Sequence, residues 1–304
     1  MLNHITSHCD PQSFLAKRSF CIGALLATTL LLAHQALAQP QYTPPPPPPP
    51  PAQSQTAPSS QPAAPLPAVQ LDQLVARIAL YPDPLLAQIL PASTYWDQVP
   101  EAAEWANRHS YLKGDQLARA IHEDNLQWDP SILALLPFPS VLNMMRQDPA
   151  WTERLGNAVL TQNADVMDAI QRMRRQAYKY GFLRTSPYDT VIDAKGFIEI
   201  IPVNPAYLYV PMYDPLIVFA PPPPGFVIGG AIRFNPAIII GVAFAPWGWT
   251  HPYFAWDAHL IYFDSTPWSR RWENRRFYVH PYEHGMVRER GPRVERHESR
   301  DKRR

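Results

Sequence analysis

Two imidazoles and a carboxylate fall within the five residues His280-Pro281-Tyr282-Glu283-His284. A metal ion takes such donors when they converge and outer groups orient them, so His280, Glu283 and His284 are the metal candidates of this chain. Asp257 and His259 are two apart, which puts them on one face of a strand. Glu101 and Glu104 form an i, i+3 carboxylate pair, but just after Pro100 they read as first-turn charges that complement a helix dipole. Hydrolysis by acid–base carboxylates would need a fold that brings residues such as Asp97, Glu101 and Asp214 into one cleft. Spacing alone assigns no metal, no cofactor and no catalytic residue. The chain has no G-x-S-x-G, no H-E-x-x-H and no phosphate loop. Both cysteines, Cys9 and Cys21, precede residue 38, which leaves no disulfide framework or thiolate site downstream.

Binding surfaces are the other chemistry on offer. In a strand, Tyr207, Tyr209 and Tyr213 share one face while Leu208, Val210 and Met212 share the other. Such a tyrosine face either stacks on sugars or peptides or covers a neighbouring layer. Between Phe234 and Tyr282, 14 of 49 residues are aromatic, among them Trp247, Trp249, Trp256, Trp268 and Trp272. That density reads as a small β core, because other core-formers are scarce there, or as an exposed patch for a glycan or a membrane interface. Tyr207, Tyr209, Tyr213, Trp247 and Trp249 are the candidate ligand-binding residues. From Arg270 onward the chain holds 12 basic and 6 acidic residues, a charge that either attracts anionic polymer and lipid head groups or simply keeps a tail soluble.

The elements that must position these groups follow from periodicity. Leu71, Leu74, Val75 and Ile78 make an i, i+3, i+4, i+7 stripe, and helical patterning continues to about Arg184. Asp83-Pro84, Asp129-Pro130 and Asp148-Pro149 each read as an aspartate cap followed by proline at the first helical position. Trp151, Leu155 and Val159 mark one helix face. Val166, Ile170, Met173 and Ala177 mark the next, with Asp165 and Asp168 near its start, Arg174, Arg175 and Lys179 near its end as a solvated face, and Gly181 as C-cap. Residues 83–91 and 129–137 echo each other at an offset of 46, either a duplication or one proline-stopped device used twice.

Near residue 190 the period falls to 2. Thr190–Asp193 and Phe197–Ile201 read as a hairpin about Ala194-Lys195-Gly196, and Pro211 makes the following strand an edge or bulged one. The apolar run Ala237–Ala245, Leu260–Phe263 and Phe277–Val279 read as further strands. The expected fold class is α+β: an N-terminal helical domain, a small antiparallel β segment, an aromatic and proline-rich β region over 220–287, and a disordered basic tail over 288–304.

Composition sets the context. The 304 residues carry 27 basic and 26 acidic side chains, a balance that argues against nucleic acid as a partner. Lys17 and Arg18, the uncharged run Phe20–Ala33 and Ala36-Leu37-Ala38 form a secretory signal pattern over residues 1–38. The run is too short for a spanning helix, so no transmembrane helix is expected after cleavage. Residues 39–70 hold 13 prolines and no charge, a disordered linker with a stiff polyproline rod at Pro44–Pro51.

Leu80-Tyr81-Pro82-Asp83-Pro84-Leu85-Leu86-Ala87-Gln88-Ile89-Leu90, Trp128-Asp129-Pro130, Ala164-Asp165-Val166-Met167-Asp168-Ala169-Ile170-Gln171 and Tyr209-Val210-Pro211-Met212-Tyr213-Asp214-Pro215 resemble the bacterial exported-protein family called domain of unknown function 3300. The resemblance covers about residues 71–219 and implies an exported protein of the Gram-negative periplasm or envelope, with a variable C-terminal part. It implies no catalytic or ligand residue. The expected role is a non-enzymatic binding module for an envelope polymer, lipid head groups or an envelope protein. The alternative is a carboxylate hydrolase or transferase acting on envelope polymer.

Overall fold

The structure, a computed structural model, describes residue 62 and residues 64–282. The signal pattern, the polyproline rod, Glu283, His284 and the basic tail lie outside the described residues. The fold is α+β, with helices in the N-terminal part and short antiparallel strands after them.

Eight helices lead: α1 (Ala68–Val75), α2 (Asp83–Ser93), α3 (Val99–Arg108), α4 (Gly114–Glu123), α5 (Pro130–Ala134), α6 (Pro139–Gln147), α7 (Pro149–Thr161) and α8 (Asn163–Lys179). The stripe Leu71, Leu74, Val75 and Ile78 is buried, although α1 begins at Ala68, where the Pro67 carbonyl accepts from Leu71 N. Asp129 and Asp148 cap as their sequence suggests, accepting from Ser131 N at 2.9 Å and Trp151 N at 3.0 Å. Asp83 does not: its carboxylate turns into the core and leaves α2 without a side-chain cap. The echo of residues 83–91 in 129–137 therefore has no structural counterpart, since α2 continues through Pro91 to Ser93 while α5 stops at Ala134.

Where α7 crosses α2, only a hydrogen atom fits. A Cβ added to Gly156 would stand 2.1 Å from the Ser93 carbonyl oxygen. Alanine at an exposed helix site gains up to ~1 kcal/mol over glycine, but here the obstacle is backbone that no rotamer change relieves. Gly156→Ala is expected to destabilise by about 1–3 kcal/mol, read as a lower urea midpoint with an unchanged slope; a raised midpoint would mean that the crossing is loose.

α8 ends in a Schellman motif, with Gly181 N–H donating to Tyr178 O and Phe182 N–H to Ala177 O. The reading of Arg174 as part of a solvated face is overturned. Its side chain is 0% exposed, because Arg174 lies four residues beyond Ile170 and three before Ala177, on the apolar stripe itself.

The hairpin forms β1 (Asp189–Ala194) and β2 (Phe197–Pro202), with Ala194 opposite Phe197. Lys195 and Gly196 both take positive φ, 53° and 86°, the two left-handed residues of a type I′ turn. Asp189, Val191, Ile198, Ile200 and Pro202 share the face turned to the helices.

The next strand is broken in two. β3 (Tyr207–Leu208) pairs with β6 (Ile238–Ile239), and β4 (Pro211–Tyr213) pairs with β5 (Ile232–Phe234). The registers 207↔239 and 211↔234 differ by one residue: residues 235–237 stand opposite residues 209–210, so the extra residue lies on the partner strand, facing the point where Pro211 lacks the N–H a ladder needs. Val210 and Pro211 are both buried, which breaks the alternation along this strand and leaves Met212 outward. The three tyrosines consequently do not share one face. A short helix α9 (Pro215–Val218) follows, capped by Asp214, whose Oδ1 accepts from Leu216 N at 2.9 Å.

Beyond residue 220 two strand expectations fail. Within Ala237–Ala245 only Ile238–Ile239 is a strand, and the rest leads into a 3-10 turn over Val242–Trp247, a tight form that accommodates Pro246. Phe277–Val279 is irregular, with Phe277 85% exposed. Leu260–Phe263 is a strand as expected, β8, between β7 (Pro252–Ala255) and β9 (Thr266–Pro267). Trp247, Trp249, Trp256 and Trp268 are buried, and one hydrophobic core runs from Leu71 to Tyr282. The boundary expected at residue 219 divides nothing in that core. Among the described residues no helix is long and apolar enough to cross a membrane.

Candidate functional site

A buried ion pair ties the helices to the hairpin. Arg174 on α8 donates from Nη1 to Asp83 Oδ1 at 2.6 Å and to the Ile198 carbonyl at 2.8 Å. Its Nε donates to Ala79 O at 2.8 Å and its Nη2 to Tyr81 O at 2.9 Å. The planar fork thus spends four of its five N–H donors on the α1–α2 connection, α2 and β2, and its guanidinium carbon stands 5.0 Å from the ring centre of Trp256. One turn earlier, Gln171 donates to Ile198 O and accepts from Ile198 N at 2.8 Å, acting as an added piece of strand.

Asp83 answers with both oxygens: Oδ1 also accepts from Ile200 N at 3.3 Å, and Oδ2 accepts from Trp256 Nε1 at 3.2 Å. Burial pushes the Asp83 carboxyl up, and the Arg174 guanidinium together with these N–H donors pulls it back. Both of its oxygens are thus engaged by donors of the fold itself.

Beside this pair opens a cleft of about 500 Å³, bordered by Asp83, Glu199, Trp249, His251, Tyr253 and Phe254. Glu199 points away from the helices on the outer face of the hairpin. Partial burial and the nearby Asp83 charge raise its carboxyl, with Arg174 opposing. Tyr253 is 37% exposed and lies flat on Tyr262 across the β7–β8 ladder, ring centres 5.0 Å apart and planes within 5°. His251 extends the aromatic row, 5.5 Å from Tyr253.

The residues singled out by sequence are dispersed. Trp249 reaches the cleft, its Nε1 anchored on Ala134 O at 2.9 Å and its ring stacked on Phe138. Trp247 is sealed between Phe244 and His122. Tyr213 turns inward; its hydroxyl donates to Ala76 O at 2.9 Å and accepts from Leu80 N. Tyr209 packs on Tyr188, and Tyr207 is exposed. Asp97 and Glu101 are exposed near the start of α3 while Asp214 is engaged in its cap, on another element, and Glu104 pairs with Arg108 one turn along. His259 meets Asp168 at 2.9 Å rather than Asp257.

Among the described residues no group of three His, Cys, Asp or Glu is placed to hold a metal. His280 is 1% exposed, its Nε2 3.3 Å from the Tyr282 hydroxyl and 3.8 Å from Asp129 Oδ1. Burial, with the Arg270 charge, drives its pKa from 6.5 down to about 3. The unfolded chain then takes up a proton at this position below about 6.5 while the folded protein does not until about 3, so this residue costs stability as pH falls through that window. The stability difference between His280→Asn and the parent is expected to move in favour of the variant between pH 6.5 and 3 in urea titrations; a pH-independent difference would mean that His280 takes up its proton as readily in the fold as in the unfolded chain.

Glu199 and Tyr253 escaped the sequence reading, which gave Asp83 the role of a cap and Arg174 that of a solvated charge. Arg174 carried a usable signal, its place on an apolar stripe; the others are brought together only by the packing of the hairpin and β7 against α2.

A family model described as "Protein of unknown function (DUF3300)" matches residues 68–285. The chain belongs to the DUF3300 family. The DUF3300 match ends well past residue 219, so the aromatic C-terminal region is part of the family domain and not a variable addition. Every residue of the ion pair and of the cleft falls inside it. The DUF3300 chain is also similar to the uncharacterized protein YacH of Escherichia coli (strain K12), with 35% identity over 182 residues, 49% of this chain and 29% of YacH. It thus spans under a third of the length of that relative. No solved structure matches it at a significant level.

Proposed function

We propose that this protein is an exported, non-enzymatic binding module of the Gram-negative envelope that holds a sugar-bearing envelope polymer in the cleft beside Tyr253 and Glu199. The observation that carries this reading is the flat Tyr253–Tyr262 stack at the border of a cleft of about 500 Å³. Sugar rings present apolar C–H faces to such a platform, and a carboxylate at its edge accepts from hydroxyl groups. Glu199 is available for that task. A hydrolase in this cleft would need a second working carboxylate, and Asp83 is committed to Arg174, Ile200 and Trp256. The export half of the reading rests on the signal pattern of residues 1–38, and the proline-rich segment serves as a spacer.

The test is co-sedimentation of the purified protein with peptidoglycan sacculi. Tyr253→Ala is expected to weaken retention by about fivefold, the equivalent of ~1 kcal/mol for one stacking contact, and Glu199→Gln to weaken it without loss of stability. Removing residues 288–304 should weaken retention at low salt only, because the basic tail acts through screened charge. Trp247→Ala would act through the core instead. Retention that ignores Tyr253 and Glu199, or no retention at any salt, overturns the reading in favour of a soluble protein partner.

A further inference from the structure

The hairpin has a second cavity on its other side. About 350 Å³ opens between β1, the connection over residues 181–186 and residues 228–232, with apolar walls from Leu80, Val191, Ile200, Ile232 and Phe234. One carboxylate lines it, that of Asp189. Asp189 is 4% exposed, and its Oδ1 is buried without a hydrogen-bond partner. The local backbone holds the residue in place: its N–H donates to Ser186 Oγ at 3.0 Å, and its carbonyl accepts from Ser186 N at 2.9 Å. Among the described residues no ion pair reaches it. Arg184, the one cation among the lining residues, lies over the Tyr178 ring with Nη1 donating to the carbonyls of Tyr178 and Leu183. From α2, Asp83 faces Asp189 with a charge already matched by Arg174 of α8. Buried carboxylate oxygens are ordinarily satisfied, so an unpartnered one on a residue that lines a cavity marks the place of a missing donor.

We propose that this cavity binds a small ligand with a primary ammonium group on an apolar body, the ammonium meeting Asp189 and the body filling the space among Val191, Ile200, Ile232 and Phe234. An ammonium carries three donors and the charge that the carboxylate lacks. A bare divalent cation fits poorly, since it would find a single carboxylate, the Thr185 and Ser186 hydroxyls and a guanidinium among the lining side chains where it needs six or more oxygen ligands. Burial and the Asp83 charge raise the Asp189 carboxyl to about 7, so that binding of a cation near neutral pH releases a proton from it.

The experiment is calorimetric titration of the full chain with butylammonium, hexylammonium and n-butanol, in two buffers of different ionisation enthalpy near pH 7. The expected result is hexylammonium tighter than butylammonium, butanol weaker than butylammonium by roughly tenfold or more, and a buffer-dependent heat that reports proton release. Asp189→Asn should lose that preference for the amine and the proton release while unfolding as cooperatively as the parent. Val191→Phe, which fills the cavity, should weaken amine and alcohol alike. Equal affinity for amine and alcohol, unchanged amine binding in Asp189→Asn, or no heat with any probe at tens of millimolar overturns the proposal. Because Tyr253 and Glu199 border a different cleft, Tyr253→Ala should leave amine binding intact, which separates this site from the polymer cleft.

Discussion

Arg174→Ala is expected to destabilise the protein by about 3–5 kcal/mol, the loss typical when one partner of a buried ion pair is removed. Two costs combine. Asp83 is left as a buried carboxylate facing no cation, and the carbonyls of Ala79, Tyr81 and Ile198 lose the donor that ties α8 to the α1–α2 connection and to β2. The two costs separate by pH. In acid, Asp83 can take up a proton and the first cost fades, whereas the lost carbonyl partners cost the same at any pH. The difference between parent and Arg174→Ala in urea midpoint should therefore narrow below neutral pH without vanishing. Adding Asp83→Asn to Arg174→Ala should recover part of the loss at neutral pH. A variant within 1 kcal/mol of the parent would mean that water replaces the guanidinium, and the pair would not be the centre of the fold.

Ending the chain at residue 219 is expected to leave a molten or aggregating helical piece instead of an independent domain. The core explains why. Trp247, Trp249, Trp256 and Trp268 are buried in the core that the helices build, and each such side chain removes on the order of 150–250 Å² from water. At about 25 cal/mol/Å² their loss is on the order of 10 kcal/mol or more as an upper estimate, comparable with the whole stability of an ordinary domain. Polar groups are stranded as well: Gln88 loses the Gly248 carbonyl, Ala134 O loses Trp249 Nε1, and Thr94 loses the Arg270 guanidinium. Binding of a hydrophobic dye and loss of a sharp thermal transition would report the expected state. A piece ending at 219 that melts cooperatively near the parent temperature would show the C-terminal region to be a dispensable cover.

These two predictions also mark how far the sequence could be read. The helix faces, the caps at Asp129 and Asp148, the hairpin about Ala194-Lys195-Gly196 and the strand at Leu260–Phe263 were legible because each depends on spacing within a dozen residues. Helical and strand periods, aspartate before proline, and lysine–glycine at a turn are local physics. The family resemblance was legible for the same reason, in short motifs along 71–219, and it stopped short of the 68–285 match because the aromatic region has no comparable spacing.

What the tertiary structure alone decided concerns charge and surface. Asp83 and Asp129 begin with the same dipeptide, yet one caps its helix and the other leaves its helix uncapped to meet Arg174, 91 residues away. No local pattern distinguishes them, since the choice depends on whether a cation arrives from α8. The tryptophans read equally well as core or patch until the helices were seen to receive them. Two successive buried residues, Val210 and Pro211, left Tyr213 inward and Met212 out, undoing a face that strict alternation would have made. The cleft at Glu199 and Tyr253 and the cavity at Asp189 lie on the two sides of one hairpin. Alternation along β1 and β2 assigned each residue to a side, but only packing against α2 and α8 decided which side met the core, because burial is settled by partners distant in the chain.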